Sequence, residues 1–240
     1  NNVFSILKSL MRGAIDAPRL SIGQLLAQRK RENVWSVFSQ YQYAAFSIVF
    51  VLLTTTAAMI MPFVRLYTDG ITDAAYLDSG IAVMMIMIVT AEMIHMPSSH
   101  ILNMAGEFKI CRNIQITTCA ILLVSMSIGG TIWGLYGMLF SLLLVTLVLD
   151  LLEMIYVHTK FFKGKIFSLL RLLMPLLLVG AVVCYFEFQF LSAVSGYLQF
   201  ALYGILFAAA NALLAVVVGL VFNRKTTMSL FRRALSMVKR

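Results

Sequence analysis

Charge is what this sequence has least of. Lys, Arg, Asp and Glu together make up 12% of its 240 residues, about half the share found in soluble domains. Histidine occurs three times and proline four times. The three cysteines, Cys111, Cys119 and Cys184, have the spacing of neither a disulfide framework nor a zinc site. They read as small apolar fillers. There is no Ser-His-Asp arrangement, no Gly-rich phosphate cradle and no His/Cys cluster at metal spacing. Enzyme chemistry, a cofactor and a metal are therefore not expected. The first segment also lacks the compact apolar core and small-residue cleavage site of a signal peptide.

What remains is apolar. Hydrophobic residues make up 61% of the chain and the mean hydropathy is +0.91. The apolar runs exceed about 18 residues and show no two-residue alternation, which points to membrane helices rather than barrel strands. After a charged opening helix, six strong spans are expected, at about 43–64, 80–102, 114–132, 135–157, 166–186 and 196–222. Each has roughly 19–27 residues, enough to cross ~30 Å of hydrocarbon. The expected fold is all-α: a polytopic membrane bundle of about seven helices over residues 1–225, then a basic tail at 226–240. In that tail Phe231, Leu235 and Val238 recur at helical spacing beside cations. It reads either as an amphipathic helix drawn to anionic membrane lipids or as a frayed basic end.

The net charge of +9 does not imply nucleic acid, because the cations collect at the ends of apolar runs. They occur as Arg29, Lys30 and Arg31, then Lys109 and Arg112, then Lys160, Lys163 and Lys165, then Arg224 and Lys225. The alternate loops differ. One sets Arg65 against Asp69, Asp73 and Asp78, residues 129–134 are uncharged, and the loop after the sixth helix has only Glu187. The positive-inside rule then assigns the basic loops and the C-terminus to the cytoplasm. A chain that opens on Asn1, on the outer side if the first helix crosses, is expected to belong to a longer protein with earlier spans.

The opening helix carries Lys8, Arg12, Asp16 and Arg19 at i, i+4, i+8 and i+11. At about 100° per residue they share one face. Each charge at mid-bilayer costs ~2.5–3.5 kcal/mol, so the stripe must meet protein or water. Asp16 is expected to pair with Arg12 and Arg19. Pro18 removes an amide hydrogen, and Gly13 lies one turn before it; the pair reads as a hinge. This gives a kinked helix lining a wet cationic cavity, the alternative being an interfacial helix that snorkels its cations.

Deeper in the spans, Glu92 and His95 share a helix face, either as a proton-linked pair or as a packing hydrogen bond. Asp150 and Glu153 are expected to pair with Lys160, His158 or Arg171, and Asn211 to make an interhelical hydrogen bond. "GGTIWGLYG", 129–137, reads as a tight turn between spans.

Several stretches, in order, resemble polysaccharide flippases of the multidrug/oligosaccharidyl-lipid/polysaccharide exporter superfamily. They are "APRLSIGQLLAQRKRENVW" (17–35), "PFVRLYTDGITDAAY" (62–76), "AGEFK" (105–109) and "GLYG" (134–137). The resemblance covers most of residues 1–160 and implies the C-terminal half of a two-lobe bundle, partnered by an N-terminal half. It implies transport of lipid-pyrophosphate-linked oligosaccharide across the bacterial inner membrane by alternating access, without chemistry on the cargo. On that reading Lys8, Arg12 and Arg19 attract the pyrophosphate, Asp16 orders them, and Glu92 and His95 are candidates for ion coupling. A multidrug exporter of the same superfamily, a membrane glycan polymerase or ligase, and a structural partner without transport stand as alternatives.

Overall fold

The structure is a computed structural model and describes residues 2–16, 23–24, 26, 31–69, 77–190, 194 and 196–238. The regular elements among them are helical: α1 (Asn2–Asp16), α2 (Arg31–Tyr67), α3 (Ser79–Ile94), α4 (Met96–Met104), α5 (Phe108–Tyr156), which runs on into a π-helical turn (Val157–Phe161), α6 (Ile166–Phe190), α7 (Tyr197–Phe222) and α8 (Arg224–Val238). Among the described residues, five helical stretches are long and apolar enough to cross a membrane: α2, α3 with α4, α5, α6 and α7. They fit a multi-pass membrane protein. Their exposed faces agree, since Phe167, Leu198, Ile205 and Leu213 stand open in a pattern that water would penalise and lipid would not.

The long helix α2 is the hub, with α1, α3, α4, α6, α7 and α8 all packed on it. Val34, Phe38, Tyr41, Ala45, Val49 and Leu53 are buried along its length at steps of three or four residues, as a helix facing a core requires. Tyr43 donates to the Ala215 carbonyl of α7 at 3.2 Å, and Asn211 of α7 donates to Thr55 Oγ1 at 3.2 Å. At one end Trp35 packs edge-on against Phe162, and Lys165 lies 5.8 Å from the Trp35 ring centroid.

The span expected at 80–102 is two helices. Pro97 has no amide hydrogen and crowds the preceding turn, so the chain bends at His95 and restarts as α4. The two spans expected at 114–132 and 135–157 form one helical hairpin. Gly134, at φ 57° and ψ −135°, reverses the chain in a region that only glycine enters cheaply. The legs then touch backbone to backbone at Gly129 and Gly137. Ser141 locks them by donating to the Ser125 carbonyl at 2.9 Å. Glu187, expected in a loop, lies buried inside α6 instead. The segment 226–240 is helical as far as Val238.

The hairpin tip is fastened to the start of α3. Asp78 caps that helix, accepting from the Ile81 amide at 3.1 Å, and the Tyr136 hydroxyl donates to the same carboxylate at 2.6 Å. The Tyr136 hydrogen bond, then the Ile81 amide, holds the Asp78 carboxyl below its ordinary range. A depressed carboxylate contributes stability above its unfolded pKa, lost as pH falls through the folded one. Tyr136→Phe should therefore lower the melting temperature in detergent above pH about 6 and flatten its fall into acid, so that variant and unaltered protein converge at low pH. Gly137→Val should lower the melting temperature by the equivalent of about 1–3 kcal/mol, because any side chain there meets the Gly129 carbonyl. A Cβ added at Gly13 meets nothing within 4 Å, so Gly13→Ala should raise the melting temperature by the equivalent of about 0.5–1 kcal/mol, the helix penalty of glycine relative to alanine.

Candidate functional site

α1 lies against α2 and α3 and presents three faces. Met11 and Ile15 are buried, with Phe4 and Leu7 packed beside them. Ser5, Ser9, Arg12 and Asp16 form one exposed edge. Val3, Ile6 and Leu10 form a second exposed edge, which is apolar. The expected charged stripe is thus divided. Lys8 turns inward and forms an ion pair with Glu92 of α3. Arg12 remains exposed. Asp16 does not pair with Arg12 as the sequence led us to expect; its Oδ1 lies 3.2 Å from His100 Nε2. Tertiary proximity to α4 overrides the i,i+4 neighbour, whose pairing on a wet surface is worth only ~0.2–0.5 kcal/mol. Pro18 and Arg19 lie outside the described residues, as do Arg29, Lys30 and Asp73.

Polar contacts continue inward from this edge. The other ring nitrogen of His100, Nδ1, lies 2.7 Å from the Tyr41 hydroxyl on α2, and the two rings stack. Glu92 and His95, expected as a pair, turn to different partners. Glu92 meets Lys8 on one side, while His95 Nδ1 lies 3.1 Å from Asp150 Oδ1 of α5 on the other. His95 caps the end of α3, its amide still bonded to the Ala91 carbonyl at 3.4 Å, and its ring points at α5. Asp150 therefore does not reach toward Lys160, His158 or Arg171. His158 instead contacts the Met154 carbonyl and Gln42 Oε1, at 2.8 Å and 3.2 Å. Glu153, one turn beyond Asp150, is fully buried and faces His95, Asp150 and Ser99.

The result is a seam of ionisable groups across α1, α3, α4 and α5, exposed at Arg12 and Asp16 and sealed at Asp150 and Glu153. Isolated charges are unstable in such an interior, so the seam holds because acids face bases or share protons. His95 and Asp150 in contact can exist as an ion pair or a neutral pair, which differ only in where one proton sits. That is the chemistry the arrangement offers. Among the described residues no group of three or more His, Cys, Asp or Glu side chains is arranged to hold a metal ion.

Sequence reasoning missed Tyr41 and His100. A signal existed: the chain has only three histidines, all in apolar surroundings, and Tyr41 and Gln42 interrupt the oily face of α2. A second region lies at the start of α5, which the hairpin brings back level with Glu153; a groove of about 640 Å³ there is lined by residues including Lys109, Cys111, Arg112 and Gln115. A third, of about 170 Å³, is apolar and lies between α2, α3 and α6.

Comparison with protein-family models, with curated proteins and with solved structures finds no match.

The Lys8–Glu92 contact is only partly shielded, with each side chain 27% exposed. Lys8→Met should leave Glu92 facing α1 without its counter-charge and lower the melting temperature. Adding Glu92→Gln to that variant should recover most of the loss, with a coupling energy of about 0.5–3 kcal/mol in a double-mutant cycle. Additive losses would mean the two side chains do not interact.

Proposed function

We propose that this chain is the C-terminal half of a flippase for lipid-pyrophosphate-linked oligosaccharide, a bundle of about seven membrane helices in a bacterial inner membrane. Its basic loops and C-terminus face the cytoplasm. The observation that carries the reading is the exposed polar edge of α1, with Arg12 at its centre, on a helix that buries its opposite side in an apolar bundle. Such an edge is unstable against acyl chains and is satisfied by a water-filled cavity shared with an N-terminal half. The order of family-like stretches around it supports the same reading.

The cargo is a pyrophosphate-linked glycan with a long apolar tail, and it undergoes no bond making or breaking. Arg12 and Arg19 attract the anionic head from the cavity wall. Lys8 adds charge when Glu92 releases it, and Asp16, engaged by His100, keeps the edge from becoming uniformly cationic. Gly13 lets α1 flex as the lobes exchange access, and Pro18, outside the described residues, is assigned the same hinge role from the sequence. Glu92 and His95 carry the coupling step, each exchanging its partner, Lys8 or Asp150, as a proton or other cation arrives.

Charge reversal at Arg12 (R12E) in the intact transporter should abolish export of surface glycan while leaving the membrane level and melting temperature of the protein near normal, since Arg12 is exposed and no described acid pairs with it. Normal export by R12E would remove the cargo-binding role of this edge.

A multidrug exporter is the second reading, favoured by the acids Asp150 and Glu153 sealed on the same seam, since cationic amphiphiles require a negative site. Drug resistance conferred by the intact protein, lost in Asp150→Asn and kept in R12E, would select it.

A further inference from the structure

The groove at the start of α5 is not used by the proposed transport cycle. It opens where Gly106, at φ 77°, turns the chain from α4 into α5. Lys109 and Arg112 project from the first turns of α5, both exposed, and no described acid lies within 4.0 Å of either. Asn103 and Gln115 add two amides to the lining. Glu107 caps the helix start by position but makes no side-chain capping bond, and it is not part of the lining.

The chemistry changes along the helix. Phe108 and Ile116, flanking the cations, are 63% and 62% exposed. Cys119 and Leu123 continue the line away from the helix start, Leu123 again 66% exposed. Phe108, Arg112, Ile116, Cys119 and Leu123 follow one another at steps of three or four residues, so they share one face of the leg. That face is basic and amide-bearing at its end and apolar for two turns beyond. A free phosphate would use the first part and leave the second bare. A soluble acidic protein would likewise leave an apolar strip inside the hydrocarbon.

We propose that this groove binds the headgroup of an anionic phospholipid of the surrounding bilayer. Lys109 and Arg112 hold the phosphate, Asn103 and Gln115 take headgroup hydroxyls, and an acyl chain lies along Ile116, Cys119 and Leu123. A basic recess beside an apolar membrane helix is the arrangement that retains anionic lipid at a membrane surface. The inference depends on the helices spanning a membrane but not on the flippase reading, so it survives if transport is of another kind.

Native mass spectrometry of the full chain in detergent, titrated with dioleoyl phosphatidylglycerol or dioleoyl phosphatidylcholine, tests it. The chain should retain phosphatidylglycerol in clear preference, and K109A/R112A should lose about fivefold in retention per cation removed. K163A/K165A, at another basic turn, should keep the preference, and millimolar inorganic phosphate should not displace the lipid. Equal retention of the two lipids, an equal loss in K163A/K165A, or displacement by phosphate would each overturn the proposal. Should the double variant fail to fold, the unaltered chain still decides. In nanodiscs, maleimide labelling of the exposed Cys119 should be slower with three parts in ten phosphatidylglycerol than with phosphatidylcholine alone, and equal rates would refute the site.

Discussion

Everything in this bundle is arranged around the difficulty of keeping a charge in oil. A carboxylate taken from water into an apolar interior loses several kcal/mol of solvation after relaxation, and only a close counter-charge, a shared proton or a hydrogen-bond donor returns it. The buried acids Asp150 and Glu153 sit beside His95, and the half-exposed Asp16 sits beside His100. Packing makes those pairings possible. The α3–α4 bend, the placement of α1 and the approach of α5 are the geometry that lets acids on one helix reach bases on another.

The same constraint sorts the surface. Side chains that look outward from α5, α6 and α7 are large and apolar, while the cations gather near turns such as Gly106–Arg112, Lys160–Lys165 and Arg224–Lys225. α1 is the exception. It offers a polar edge and an apolar edge side by side, and both are exposed among the described residues. A polar edge needs water or protein, whereas Ile6 and Leu10 are stable against either lipid or protein. This asymmetry suits α1 to a border between polar and apolar surroundings.

Much of the helix plan was legible because membrane helices advertise themselves through long apolar runs. The hairpin turn was readable too, since glycine is the residue that a reversal near Gly134 demands. Asn211 was readable as an interhelical tie for the same kind of reason: a lone amide in an apolar helix needs a partner on another one. The partners of the charged residues were not legible. Spacing along a helix pairs Asp16 with Arg12 and Glu92 with His95, yet each of these acids meets a residue from a different helix. Local spacing fixes only which face a side chain occupies, and the energy of a neighbouring surface pair is small against that of desolvating an acid in the core.

The sequence by itself determined that the chain is helical, that several helices fit a membrane, where the chain reverses, and that charges on α1 cannot all face lipid. These follow from composition and periodicity, which are properties of each segment alone. Only the tertiary structure decided that Lys8 belongs to Glu92, His95 to Asp150 and Asp16 to His100, and that the basic turn at Lys109 and Arg112 opens a groove. Such pairings depend on distances between segments far apart in the chain, set by how the hub helix α2 and the Pro97 bend orient the others.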